Sequence, residues 1–119
     1  MDSLAQADAF FAGRAEAWAV FEALRTALCT RFPDTQLRVM KTCISFDDPK
    51  PYCYVSMPKS RSQRGIMVTF SLRERMESPR FMRVVPISKS RFTVHALVQG
   101  AQEIDGELLS FMELARSRR

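Results

Sequence analysis

A single α+β domain spanning residues 1–119 is predicted, with a mostly antiparallel sheet of about four strands and an N-terminal and a C-terminal helix on one of its faces. Three observations predict it. A stretch free of Pro and Gly fills much of the first third, the apolar period shortens from three-to-four to two in the middle, and a second amphipathic stretch closes the chain. A composition of 46% hydrophobic and 26% charged residues excludes a disordered chain. A chain this long buries roughly two-thirds of its unfolded surface, enough for one core without metal or disulfide.

The first helix is expected from Arg14 to Arg31, with Trp18, Phe21, Leu24 and Leu28 recurring on one side. Gly13 separates it from a helical turn at Ala9–Ala12, and Pro33 ends it because the residue before proline avoids α geometry. Leu37 to Phe46 reads as one strand, Met40, Thr42, Ile44 and Phe46 alternating with Val39, Lys41, Cys43 and Ser45. Asp47 to Pro51 is a turn, Tyr52 to Met57 the returning strand, Pro58 to Arg64 a polar connection, and Gly65 to Leu72 a third strand. Ser78-Pro79 suggests a short helix through about Val84, serine capping and proline in the first turn. Arg91 to Gln99 is the fourth strand, and Gln102 to Arg116 the closing helix, with Ile104, Leu108, Phe111, Met112 and Ala115 on its apolar side.

Both helices can bury their stripes on one sheet face, the apolar set Met40, Ile44, Phe46, Ile66, Val68, Phe70, Phe92, Val94 and Val98. The opposite face is then uncovered, carrying Val39, Lys41, Cys43, Ser45, Met67, Thr69, Ser71, Thr93, His95, Leu97 and Gln99. The side chain of Tyr54 depends on the length of the preceding turn.

The net charge of +5 is concentrated. Residues 59–91 hold nine Lys/Arg against Glu74 and Glu77, so attraction for anions is expected there. Cys29, Cys43 and Cys53 cannot all pair and have no metal spacing, and Asp2 stands where a secretory leader carries positive charge. We therefore expect a cytoplasmic protein with reduced thiols, no cofactor, no metal and no membrane association.

His95, the one histidine, falls on the uncovered face together with Lys41. A lone strand histidine is more often structurally satisfied, and a strand lysine more often solvated, than catalytic. Taken with Thr69, Thr93 and Tyr54, however, the two make a cationic, hydrogen-bonding patch suited to an anionic or polar small ligand. Cys43 on the same face permits a thiol nucleophile, although no local motif supports one. The arginines of residues 59–91 suit phosphates, and Ser78-Pro79 offers helix-start amides near Arg80.

Arg38 to Phe46, Val55-Ser56-Met57-Pro58, Ser78-Pro79-Arg80, the Arg91–His95 strand and Glu103 to Leu109, in that order and spacing, resemble the stand-alone bacterial proteins of domain of unknown function 5655. The resemblance runs from about Phe11 to Ala115 and implies a small helix–sheet–helix architecture. It implies no activity, and Pro49 and Pro51 depart from the family's usual loop. Lys41, Arg80 and His95 match polar positions of the family's pattern, which makes them site candidates.

The reading is a non-enzymatic binding or interaction domain for an anionic ligand or protein partner, with Lys41, Tyr54, Arg80 and His95 as the binding set. One alternative is a small enzyme using Lys41 and His95 as acid/base or anion-holding groups. Another is weak nucleic-acid binding through residues 59–91. A homodimer through the uncovered face would bury Val39, Met67 and Leu97.

Overall fold

In the computed structural model, which describes residues 3–58 and 63–117, helices precede and follow an antiparallel sheet. Helix α1 (Ser3–Phe10) is followed by the 17-residue α2 (Ala15–Arg31), whose end is closed by the Phe32 N–H donating to the Leu28 carbonyl at 2.7 Å, just before Pro33. The strands are β1 (Gln36–Val39), β2 (Ile44–Asp47), β3 (Pro51–Ser56), β4 (Ile66–Leu72), β5 (Arg83–Ser88) and β6 (Arg91–Val98). A 3-10 turn (Ala101–Glu103) leads into α3 (Gly106–Ser117). The spatial order is β1-β2-β3-β4-β6-β5, antiparallel at every pairing.

The sheet thus has six strands rather than about four, and two local misreadings account for the difference. Residues 37–46 are a hairpin, not one strand. The Met40 N–H donates to the Cys43 carbonyl at 2.8 Å, leaving Lys41 and Thr42 as a two-residue tip. Val39 pairs with Ile44 and Leu37 with Phe46, so inward positions are odd in β1 and even in β2. Val39, expected on the uncovered face, packs against the core, while Lys41 leaves the sheet altogether and is exposed. Alternation alone hid the turn, because Met-Lys-Thr-Cys contains none of the usual Gly, Asn or Pro signals.

The second correction concerns the expected short helix before the last strand. Ser78-Pro79-Arg80 forms a turn, closed by the Phe81 N–H on the Ser78 carbonyl at 3.0 Å, and the chain then extends as β5. β-Branched Val84, Val85 and Ile87 favour extended backbone, and Pro86 is tolerated because β5 lies at the sheet edge. The closing helix also starts later than Gln102. Asp105 caps it, accepting from the Leu108 N–H at 3.1 Å.

One core unites the elements. Phe21, Leu24 and Leu28 of α2 and Leu108, Phe111 and Met112 of α3 meet Ile44, Phe46, Val55, Val68, Phe70 and Val94 on a single sheet face. Ring contacts cross the layers at 6.0 Å for Phe21–Phe46 and 6.3 Å for Phe70–Phe111. Met40 and Phe92, expected within this core, are only half-buried. Along β4 buried Ile66, Val68, Phe70 and Leu72 alternate with half-buried Met67, Thr69 and Ser71, the signature of a sheet covered on one side.

Candidate ligand-binding face

The register carries one residue of each strand into a single row across the uncovered face. Arg38 stands opposite Ser45, Ser45 opposite Tyr54, Tyr54 opposite Thr69, Thr69 opposite His95, and His95 opposite Arg83. With strands about 4.8 Å apart, the row is about 24 Å long. It has an arginine at each end, with hydroxyls and an imidazole between.

The two halves differ in how their polar groups are used. At the β1 end Ser45, fully buried at 0% exposure between the larger Arg38 and Tyr54, donates to the Asp47 carboxylate. Asp47 also holds the Arg38 guanidinium at 3.2 Å. That end is occupied by its own ion pair. At the β5 end a 3.0 Å hydrogen bond joins Thr69 Oγ1 and His95 Nδ1, and both line a hollow of about 350 Å³. Met57, Met67 and Met82 form its apolar walls, and Ser56, Gln63 and Arg83 add polar groups. Met82 is 50% exposed, so the hollow opens to solvent. Arg83 has no carboxylate partner among the described residues. Flexible methionines beside a cation and an imidazole suit a ligand with an apolar body and an anionic group.

The residues singled out from the sequence are not all gathered here. His95 and Tyr54 lie in the row, with Tyr54 next to Thr69. Lys41, at the β1–β2 tip, belongs to the far side of the sheet. Its hairpin is three strand spacings from β6, about 14 Å across the sheet. Arg80 is committed elsewhere. Its guanidinium binds both carboxylate oxygens of Asp105 at 2.9 and 2.8 Å, Glu107 at 3.0 Å and the Glu103 carbonyl at 3.2 Å. Facing this guanidinium and the Leu108 N–H, the Asp105 carboxyl is held at about 2, below its ordinary 3.8. Arg80 therefore ties the 78–81 turn to the start of α3.

The thiols stand apart from His95. Cys43 closes the β1–β2 hairpin, while Cys53 is buried in the core, where desolvation pushes its thiol well up. Cys29 is half-buried and raised for the same reason. No group of three or more His, Cys, Asp or Glu suited to a metal ion occurs among the described residues, and no described helix is long and apolar enough to cross a membrane. Of the basic stretch, Lys59 to Ser62 lie outside the described residues, and Arg75 pairs with Glu77 at 3.8 Å.

Sequence reasoning counted Arg83 only within the basic stretch and missed both its place on the sheet face and Met82, because it put the two in a helix. The signal that finds them is the β-branched pair Val84-Val85 with Ile87 at alternate positions, which marks a strand.

Fold and face together define a small α+β domain whose antiparallel sheet is covered by helices on one side and carries a polar row on the other. The chain belongs to the family domain of unknown function (domain of unknown function 5655), whose model matches residues 7–115. No curated protein and no solved structure matches it.

Proposed function

We propose that the chain is a non-enzymatic binding domain whose uncovered sheet face receives an anionic ligand with an apolar body. The observation that carries this reading is the hydrogen-bonded Thr69–His95 pair in a methionine-walled hollow beside Arg83, an arginine without a carboxylate partner among the described residues. A hollow of this volume lies at the lower end of small-ligand pockets, which span about 300–1,000 Å³. The enzyme alternative required Lys41 beside His95, and the hairpin tip holds Lys41 several strands away.

The test is a melting-temperature series with decanoate and phenylacetate against decanol and phenylethanol, since a ligand preferring the native state raises the midpoint. The acids are expected to raise it and the alcohols to do so far less, with the preference removed by Arg83→Ala. Equal responses to acids and alcohols, or an acid response untouched in the Arg83→Ala and Thr69→Val double variant, would overturn the reading.

A further inference from the structure

We infer that the free edge of β5 is a docking site for an acidic peptide segment, which pairs with it as a seventh strand beside the six of the sheet. The sheet ends in β1 on one side and in β5 on the other. The β1 edge is short, at four residues, and α1 packs against it. β5 has six residues, and among the described residues the one element it meets extensively is β6. Its outer backbone groups are therefore a template for an added strand.

Edge strands are ordinarily protected, and β5 has two such devices. Pro86 removes a donor, and a bulge after it leaves Ile87 without a partner on β6. These limit indiscriminate stacking, but an edge that only avoided contact would not display large apolar side chains. Ile87 is 60% exposed and Met82, just before the strand, 50%, the two exposed large hydrophobic residues among those described. Beside Met82 lies a broad hollow of about 510 Å³, whose walls include Pro79, Phe81 and Val84. Phe81 meets Phe111 of α3 at 4.9 Å, so this hollow lies on the helix-covered side, apart from His95. Such a recess beside an edge suits an apolar side chain of an added strand. Glu77, also in its wall, is paired with Arg75 at 3.8 Å.

Charge selects the occupant. Arg83, Lys89 and Arg91 are exposed at the two ends of the edge, with no carboxylate within ion-pair distance among the described residues. A second copy of the chain is disfavoured. Antiparallel pairing sets Arg83 of one β5 near Lys89 of the other, and parallel pairing sets each cation beside its equal. An acidic segment meets the same cations with opposite charge. Nucleic acid has no amide row to continue the ladder. Arg83 also borders the His95 hollow, whereas Ile87 and Lys89 do not and so separate the two sites.

Fluorescence anisotropy of a labelled Glu-Val-Glu-Ile-Glu-Val-Glu peptide, titrated with the full chain at constant ionic strength, tests the assignment. Saturable binding is expected, and none for the same peptide with lysine in place of glutamate. N-methylation at one set of alternate peptide residues should weaken binding about tenfold or more, and at the other set far less, because one set alone donates to β5. Ile87→Asp is expected to weaken it about tenfold, and Lys89→Glu about threefold. Both positions are exposed, so these replacements leave the core intact. The acid-over-alcohol preference of the His95 hollow should persist in Ile87→Asp; its loss together with peptide binding would place the peptide in that hollow and overturn the inference. Absence of saturation, equal weakening by both methylation sets, equal binding of the lysine peptide, or a dimer of the chain alone that Ile87→Asp dissociates would each overturn it as well.

Discussion

On one side of β4, Ile66, Val68, Phe70 and Leu72 are sealed against α3 and α2; on the other, Met67, Thr69 and Ser71 stand half-open, the first two lining the His95 hollow. Both sides share the same backbone and the same ladder to β3 and β6. Differences in what substitution does to them must therefore come from side chains. The inward set holds the fold together by removing apolar surface from water and filling space. The outward set contributes little to stability and is free to be chosen for binding.

The largest expected effect lies in the inward set. Phe70 is 2% exposed and touches the Phe81 and Phe111 rings at 5.9 and 6.3 Å. Phe70→Ala should cost about 3–5 kcal/mol in urea unfolding, the transfer loss plus the cavity left behind. Thr69→Val, one residue along, should change stability by no more than about 0.5–1 kcal/mol. Comparable losses for the two would mean that something covers the outward face as well.

A backbone position comes next. Gly65, which opens β4, has φ +89, and a Cβ there would lie 2.1 Å from the Val98 carbonyl oxygen of β6. Its N–H also donates to Glu16 at 3.1 Å, linking the strand to α2. Gly65→Ala should cost at least about 1–3 kcal/mol from conformation alone. Because this position supports both faces, the ligand response at the His95 hollow should weaken together with stability.

A smaller effect is expected from the Arg80–Asp105 contact, which lies outside both faces. Asp105 has a folded pKa of about 2 against an ordinary 3.8, so its contribution is present above 3.8 and is lost as the pH falls towards 2. Urea midpoints of the wild type and Arg80→Gln should differ at pH 5 and converge between pH 4 and 2. A constant difference across that interval would show that the ion pair is not what Arg80 contributes.

The division between faces was legible in the sequence wherever period-2 alternation ran unbroken. Ile66 to Leu72 and Phe92 to Val98 fall on the expected sides for that reason, and so do the helical stripes of α2 and α3. The faces were misassigned where a turn changed the parity without turn residues to announce it, as at Met40–Cys43. The Ser78-Pro79 pair misled differently, since a cap-like dipeptide starts a turn as readily as a helix when β-branched residues follow. Tyr54, Thr69 and His95 were picked out individually, but their row could not be. It depends on register across five pairings, and one slip in any of them moves a side chain to the opposite face.

Lys41 provides the smallest predicted effect. Sequence alternation put it on the same uncovered face as His95, whereas the hairpin places it, exposed, at the tip between β1 and β2. Lys41→Ala should then leave unfolding free energy within about 0.5 kcal/mol of the wild type, as solvated surface positions do. It should equally leave the acid-over-alcohol preference of the His95 hollow intact, while Arg83→Ala removes it. The pair of variants separates two pictures of the face. If Lys41→Ala lowered the response as much as Arg83→Ala does, the ligand would have to extend along the whole row, past Tyr54 and Ser45, to reach the hairpin. Because Asp47 already occupies Arg38 and Ser45 at that end, the shorter site confined to β4, β5 and β6 is the one the polar groups favour.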